Sequence, residues 1–383
     1  MVLQPGTDSL PAAIHNVFTG GHWMKRLLPG AARAAVLSIL AAAGLVSLAG
    51  CPKKEGGGTT RLNGGGSTLV GPIMKKWETV YHEKKGIEIN YARKGSGNGI
   101  QQMTAKTYHF GCTDAPMNDK ELAAAKEKGG EVLHIPLVFG AVVPIYNLPE
   151  LKDSKEPVKV TGAILADIFL GQITKWNDPA LVKVNPGVAL PDRAIVVVRR
   201  AEPSGTTFTF TDYLAKVSET WLQKTGPGAK EVKWFDQAVG KQGSQGVAGH
   251  VANTAGAVGY VEVEYAKSNQ LPFAAVQNKQ GKFVVASPET VTAASKGAEA
   301  NVPDNLCLNL NNQPGDDAYP ICAVVWAVLY QNQPADTGKM LVDFLTWVTH
   351  DGQAFAAGLN YAPLSQGLVQ KVDEKLKSVK LVQ

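Results

Sequence analysis

The chain has 383 residues and a formal net charge of +5, from 38 lysines and arginines against 33 aspartates and glutamates. This small excess excludes a polycation, and no run of lysine and arginine could follow a nucleic-acid backbone, so we expect no nucleic-acid partner. The seven histidines are scattered, and no cysteine or histidine pair has metal-ligand spacing. We therefore expect no metal site and no cofactor.

Residues 1–50 have the form of a secretory signal peptide. A basic segment begins at Met24, an apolar stretch covers residues 34–46, and Leu-Ala-Gly precedes Cys51. The apolar stretch is short for a membrane-spanning helix. Leu-Ala-Gly-Cys resembles the lipobox of bacterial lipoproteins, in which the cysteine becomes the lipidated first residue; the alternative is an uncleaved anchor with an incidental cysteine. Because residues 1–23 contain no lysine or arginine, we suggest that translation begins at Met24.

The segment after the cysteine predicts a tether. Residues 52–60 have no apolar content to bury, which is typical of a flexible link between a lipid and a folded body. About 320 residues follow, enough for two α/β domains. Without the signal peptide the chain keeps 35 basic and 32 acidic residues, a net charge near +3.

The body then repeats one local arrangement: a strand, a turn of small residues, and a helix. Gly-Gly-Gly-Ser-Thr at 64–68 precedes a predicted helix that begins near Pro72. An alternating strand at 87–91 leads to Gly-Ser-Gly at 95–97 and a second predicted helix. Phe-Gly-Cys-Thr-Asp-Ala-Pro at 110–116 predicts a short strand that ends at a carboxylate.

The most informative segment is Arg-Arg-Ala-Glu-Pro-Ser-Gly-Thr at 199–206, between an apolar run and a predicted helix. This order directs free backbone N–H groups and the positive helix end at one point. With the guanidinium of Arg200 and the hydroxyls of Ser204 and Thr206, that point favours an oxyanion. Glu202 could hold the guanidinium in place. Taken alone, the segment could equally be an ordinary helix N-cap.

The cysteines agree with export. Cys307 and Cys322 lie on either side of a polar turn, and in an oxidising compartment they could form a disulfide. Their spacing does not determine the distance between the two Cα atoms, so free thiols are the equal alternative. Cys112 is predicted to be a small buried core residue.

In this order, these segments closely resemble the periplasmic phosphate-binding proteins of ABC phosphate importers, the PstS family. The resemblance runs from about residue 62 to about residue 368, and two further segments carry it, at 169–176 and 256–262. It implies an α/β, two-lobed periplasmic-binding-protein fold of type II. Each lobe would be a mostly parallel or mixed sheet flanked by helices, and two strands would form the hinge.

Because the candidate donors come from three stretches before residue 117 and one near 200, we expect two lobes to meet over the ligand. Lobe I would comprise residues 61–140 and 322–383, and lobe II residues 141–321. The resemblance implies a monomer, not an enzyme, that carries inorganic phosphate to the permease subunits of an ABC transporter. It would be exported and held at the membrane by a lipid on Cys51.

The resemblance also assigns the anion contacts residue by residue. They are Thr68, Leu69, Ser96, Asp114, Arg200, Ser204, Gly205 and Thr206, with Glu202 supporting Arg200. The chain departs from the family pattern at three positions. Leu69 stands where an aromatic residue is common, Glu202 replaces the more usual aspartate, and Pro203 replaces a glycine.

Asp114 is the predicted selectivity residue. A carboxylate facing an anion is favourable only if the ligand has a proton to donate, which hydrogen phosphate has and sulfate at neutral pH lacks. Four alternatives stay open: Asp114 only caps a turn, the ligand is sulfate, molybdate or tungstate, the chain is a secreted phosphatase or phosphotransferase, or it is a structural lipoprotein or adhesin. Phosphoryl chemistry would need metal ions or a positioned nucleophile, and an adhesin would not need a guanidinium among helix entrances.

Overall fold

A computed structural model describes residues 61–383, and the signal peptide, Cys51 and the tether lie outside the described residues. Its strands are β1 (Arg61–Gly66), β2 (Glu88–Ala92), β3 (Phe110–Thr113), β4 (Val132–Tyr146), β5 (Lys159–Val160), β6 (Val196–Arg200), β7 (Val239–Lys241), β8 (Ala257–Glu262), β9 (Ala275–Gln277), β10 (Phe283–Val284), β11 (Cys322–Tyr330), β12 (Asn332–Pro334) and β13 (Lys380–Val382).

Helices alternate with these strands over most of the chain. They are α1 (Gly71–Lys85), α2 (Ser96–Thr104), α3 (Asp119–Gly129), α4 (Gly162–Phe169), α5 (Pro179–Val184), α6 (Gly205–Val217), α7 (Glu219–Thr225), α8 (Gly243–Ala252), α9 (Val263–Ser268), α10 (Pro288–Glu299), α11 (Ala335–Thr349) and α12 (Gln366–Lys377). Short 3₁₀ helices cover Pro149–Leu151, Asp351–Phe355 and Ala357–Leu359. None of the helices within 61–383 has the length and apolar content that crossing a membrane requires.

Eight strands form one mixed sheet in the order β2-β1-β3-β11-β4-β8-β6-β7. Pairing is parallel at both ends, where β1 lies between β2 and β3 and β6 lies between β8 and β7. It is antiparallel in the middle, where β11 pairs with β3 and β4, and β4 pairs with β8. The predicted mixed α/β class is therefore confirmed.

Strand β4 joins the two ends of the sheet. It is 15 residues long, and it pairs with β11 over residues 132–141 and with β8 over residues 142–146. Cys322, the first residue of β11, lies opposite Ala141. The predicted lobe crossings thus coincide with the point where β4 changes partner. The lobe boundaries themselves stay a prediction, because the sheet is continuous and the described residues form one compact unit.

The sequence of β4 explains its central place. It is an almost uninterrupted apolar run, and every residue after the first is buried, as expected of a strand covered on both faces. Gly140 lies beneath the loop that follows β1. A Cβ atom at this position would lie 3.0 Å from the Cδ2 atom of Leu69, so glycine lets that loop approach the sheet closely.

Aromatic packing fixes the two helices that matter most for the site. In α1, Tyr81 meets Phe344 edge to face with ring centroids 5.1 Å apart, and the Trp77 Nε1–H donates to the carbonyl of Gly352 at 2.8 Å. In α6, Phe210 stacks on Tyr260 of β8 at 4.5 Å. Such contacts are specific in geometry as well as apolar, so they fix how both helices pack against the rest of the fold.

The cysteines of the described region are free thiols. The Cys322 Sγ–H donates to the carbonyl of Tyr319 at 3.2 Å, whereas the Cys307 thiol contacts the carbonyl of Asn305 at 3.6 Å. The disulfide that the spacing allowed is not formed in this structure. Cys112 is buried in the core, as predicted.

Candidate functional site

Four loops, after β1, β2, β6 and β7, converge, and helices α1, α2, α6 and α8 begin there. Strands β1 and β2 run in the opposite direction to β6 and β7, so the loops that follow them meet from opposite sides. Contacts tie these loops together. The N–H of Gly97 donates to the carbonyl of Pro203 at 3.2 Å, and the hydroxyls of Thr68 and Ser244 are 2.9 Å apart. We call the following set the donor ring: Thr68, Leu69, Ser96, Asp114, Arg200, Ser204, Gly205 and Thr206.

Asp114 lies directly after β3 and is 2% exposed. The Ser67 hydroxyl donates to its Oδ1 atom, and the Thr206 hydroxyl donates to its Oδ2 atom at 3.1 Å. Its backbone N–H donates to Ser96 Oγ at 3.3 Å. The carboxylate is therefore turned into the donor ring, and each oxygen keeps capacity to accept a further hydrogen bond.

Burial raises the pKa of Asp114 from its usual value of 3.8 to about 6. The Ser67 hydrogen bond, the nearby Arg200 charge and the Thr206 hydrogen bond lower the pKa and oppose this shift. The group is thus an ionised acceptor at neutral pH and a protonated donor in mild acid.

Arg200 is the last residue of β6 and is 3% exposed. Its Nε atom donates to Glu202 Oε1 at 2.9 Å, and its Nη2 atom donates to the same oxygen. Its Nη1 atom lies 3.4 Å from Thr206 Oγ1 and 3.5 Å from Ser244 Oγ. One edge of the guanidinium is therefore neutralised by Glu202, and the other edge faces hydroxyl groups.

Two serine hydroxyls of the ring already accept hydrogen bonds from backbone N–H groups. Asp114 N–H donates to Ser96 Oγ, and Thr207 N–H donates to Ser204 Oγ at 3.2 Å. Ser204 is thus the N-cap of α6, as the simpler interpretation of the sequence had it. Because a hydroxyl that accepts in this way keeps its own proton, both serines can still donate to an anion.

Backbone N–H groups complete the ring. Within residues 61–383, no hydrogen-bond partner is present for the N–H groups of Thr68, Leu69, Gly205 and Thr206, which precede or open α1 and α6. The side chain of Leu69 is buried in the core, so only its N–H is directed to the site. A Cβ atom on Gly205 would lie 2.6 Å from Ser96 Oγ, so no side chain fits there.

The structure thus brings together all eight residues of the donor ring, with Glu202 beside Arg200. Sequence reasoning missed two contributors. Ser67 is adjacent to Thr68 and donates to Asp114, and the fully buried Ser244 contacts both Thr68 and Arg200. A signal for Ser244 was available, because a strand, a glycine and a serine open α8 just as they open α2.

These groups define what the site can do. The donors are one guanidinium, two free helix entrances and several hydroxyls, and the single carboxylate of Asp114 is the acceptor turned into the ring. Nothing among the His, Cys, Asp and Glu side chains of the described region is grouped so that it could hold a metal ion. The arrangement favours a small oxyanion that carries a proton.

Comparison with known proteins agrees with this geometry. Residues 53–351 match the PBP superfamily domain. The chain is 41% identical over 318 residues to the phosphate-binding protein PstS of Pasteurella multocida, covering 83% of this chain and 90% of that protein. It is 39% identical over 319 residues to PstS of Haemophilus influenzae, covering 83% and 92%.

Solved structures show the same fold. A high-affinity periplasmic phosphate-binding protein bound with phosphate superposes with a TM-score of 0.66 at 21% identity, covering 82% of this chain and 93% of that one. A phosphate-binding protein from Stenotrophomonas maltophilia gives a TM-score of 0.62 at 19% identity, with coverage of 82% and 93%. The fold is that of periplasmic binding proteins, as predicted. The chain belongs to the PstS family of phosphate-binding proteins.

Proposed function

We propose that this protein is an extracytoplasmic solute-binding lipoprotein that captures hydrogen phosphate in the donor ring and delivers it to an ABC transporter. The observation that carries the proposal is the placement of Asp114. A buried carboxylate stands among groups that otherwise donate, close to the guanidinium of Arg200. The relatives named as phosphate-binding proteins cover most of the chain and support the same ligand.

The charge balance explains why so many donors are needed. Removing a dianion from water costs several kcal/mol per charge, and Arg200 shares its charge with Glu202. The N-terminal ends of α1 and α6 each supply the equivalent of roughly half a positive charge. Hydroxyls and free N–H groups then satisfy the ligand oxygens at short range.

Asp114 accounts for the choice of anion. At neutral pH its carboxylate can accept the proton of hydrogen phosphate. Sulfate has no proton to offer, so it would leave two like charges facing each other in a buried site. The same contact disfavours molybdate and tungstate, which leaves phosphate as the ligand that the site fits best.

We infer that the protein binds its ligand and does not catalyse a reaction on it. The hydroxyls of Ser96 and Ser204 accept from backbone N–H groups, whereas an activated serine nucleophile would donate to a base. The named relatives are binding proteins, which supports the same conclusion.

Delivery to a permease follows from two lobes that close on the ligand. We propose lobe I as residues 61–140 with 322–383 and lobe II as residues 141–321. Strands β4 and β11 would form the hinge, where β4 changes its pairing partner. Contacts such as Thr206 to Asp114 join the two segments, and they would open when the lobes separate. The protein would act as a monomer, tethered by a lipid on Cys51.

Calorimetric titration of the purified protein with phosphate, sulfate and molybdate tests the ligand. We expect phosphate to bind at least about 1,000-fold more tightly than sulfate, because sulfate would face the buried Asp114 carboxylate without a proton to share, and the two negative charges repel. Comparable affinities would contradict the proposal and favour a general oxyanion carrier. Hydrolysis of a chromogenic phosphate ester above the rate without protein would favour the phosphatase alternative.

A second experiment tests the anchor. Membrane and soluble fractions of cells that express the protein are compared with those of a Cys51→Ala variant. We expect the wild-type protein with the membranes and the variant in the soluble fraction, because one alanine cannot carry the acyl chains. Membrane association of both proteins would contradict lipidation at Cys51.

A further inference from the structure

Ser244 differs from the serines that cap helices in this protein. The hydroxyls of Ser204, Ser287 and Ser365 each cap their own helix by accepting from a backbone N–H in its first turn. Ser244 opens α8, yet within residues 61–383 its hydroxyl bonds to no backbone group of that helix. Its side chain is fully buried, so an ordinary capping or solvated role does not account for it.

The Ser244 hydroxyl instead contacts two residues from other segments of the site, Thr68 and Arg200. Its Oγ atom lies 2.9 Å from Thr68 Oγ1, which is 176 positions away in the chain, and 3.5 Å from the Nη1 atom of Arg200. Glu202 fixes this arrangement, because it accepts from Arg200 and also from the N–H of Gly243 at 3.1 Å. The guanidinium and the first turn of α8 are therefore held by one carboxylate.

Either hydroxyl of the Thr68–Ser244 pair can donate, and the guanidinium beside Ser244 favours one of the two directions. A guanidinium can only donate, so Ser244 Oγ accepts from Arg200. With that bond in place, the Ser244 proton remains available for Thr68 Oγ1. When Ser244 donates, Thr68 keeps its own proton for another acceptor. A chain of donors thus runs from the charge of Arg200 to the opposite side of the donor ring, and each bond polarises the next.

We propose that Ser244 is a positioning residue that makes the Thr68 hydroxyl a dedicated donor to the bound anion and links the two sides of the site. This inference rests on the proposed binding of phosphate. Thr68 and Ser244 also line a surface cavity of about 690 Å³ that contains Lys75 and Arg93. The Thr68 and Ser244 hydroxyls therefore lie between this cavity and Arg200. We expect removal of the Ser244 hydroxyl to speed dissociation of the anion.

Removal of the Ser244 hydroxyl tests the proposal. In Ser244→Ala, we expect the dissociation constant for inorganic phosphate to rise about fivefold, mainly through faster dissociation, because one charge-linked hydrogen bond is lost. Calorimetry and stopped-flow tryptophan fluorescence measure the two quantities. Ser268→Ala is the matched control, since Ser268 lines the same cavity but, among residues 61–383, its hydroxyl bonds only to the carbonyl of Tyr265. It should bind phosphate as the wild type does.

A double-mutant cycle separates positioning from simple packing. If Ser244 acts through Thr68, then Ser244→Ala should have little effect in a Thr68→Val background. Thermal unfolding of all variants establishes that they are folded. An unchanged dissociation constant in Ser244→Ala, or an equal loss with and without the Thr68 hydroxyl, would overturn the inference. Failure of the wild-type protein to bind phosphate would instead overturn the proposed function, and this inference with it.

Discussion

The two sides of the donor ring are built differently. The side formed by the loops after β1, β2 and β3 contributes Thr68, Leu69, Ser96 and Asp114, which offer two hydroxyls, backbone N–H groups and a carboxylate. The side formed by the loop after β6 contributes Arg200, Ser204, Gly205 and Thr206, with Glu202 behind the guanidinium and Ser244 of the loop after β7 beside it. Attraction and selection are thus separated: one side would bind oxyanions in general, and the other would decide which of them is accepted.

Removing the cation should have the largest effect. Arg200→Met leaves the partly buried Glu202 carboxylate without its cation beside the anion, so we expect the affinity for phosphate to fall by about 1,000-fold or more. Titration calorimetry measures the change. Arg193→Met is the control, because Arg193 is paired with Glu150 at the surface. Affinity of Arg200→Met within tenfold of the wild type would show that helix entrances alone bind the ligand.

Replacing Asp114 should change the relative affinities for phosphate and sulfate. In Asp114→Asn, the amide can donate to an oxyanion, so we expect the preference for phosphate over sulfate to shrink by about 100-fold. Competition titrations with both anions give this ratio. The prediction, and with it the assignment of selectivity to Asp114, fails if the ratio is unchanged.

Crowding the contact between the two sides should weaken binding moderately. In Gly205→Ala, the added Cβ atom would lie 2.6 Å from both Ser96 Oγ and the Asp114 nitrogen. Such overpacking typically costs about 1–3 kcal/mol, so we expect a loss of about 10- to 100-fold in phosphate affinity. Gly249→Ala in α8 is the control, because nothing lies within 4 Å of a Cβ atom there. Equal affinities for the two variants would contradict the close approach of the two sides.

The last effect concerns the stability of the protein without phosphate. The pKa of Asp114 in the folded state, about 6, lies above its usual value of 3.8, so the folded protein binds this proton more tightly than the unfolded chain. The ionised carboxylate therefore costs stability above the folded-state pKa. We expect Asp114→Asn to raise the free energy of unfolding near neutral pH by about 1–3 kcal/mol.

The difference in free energy of unfolding between Asp114→Asn and the wild type should depend on pH. As the pH falls from about 6 towards 4, the wild-type carboxyl becomes protonated in the folded state, and the advantage of the variant should shrink. Denaturant unfolding at several pH values, in phosphate-free buffer, measures the difference. An advantage that stays constant over this range would show that it does not arise from the charge of Asp114.

Elements close together in the chain were predictable. Arg200, Glu202, Ser204, Gly205 and Thr206 lie within one strand, turn and helix, and the sequence alone indicated an oxyanion site there. Local backbone conformation decides which N–H groups are free at a helix start, and it depends on neighbouring residues only. The resemblance added Asp114 and Thr68, which the structure brings to the same point.

Contacts between distant residues were not predictable in the same way. Asp114 and Thr206 are 92 positions apart, and Thr68 and Ser244 are 176 positions apart. They meet because the strands before them, at the two ends of the sheet, run in opposite directions and end facing each other. The free state of Cys307 and Cys322 in this structure is likewise a tertiary result, since spacing leaves their separation undetermined.

The amino-acid sequence by itself therefore determined the α/β class, the helix entrances and the charged groups that favour an oxyanion. The tertiary structure alone decided that Asp114 faces the other donors and that Ser244 joins them. The physical reason is that helix starts and caps depend on a few adjacent residues. The direction of a buried carboxylate and the partner of a buried hydroxyl depend instead on every strand between them.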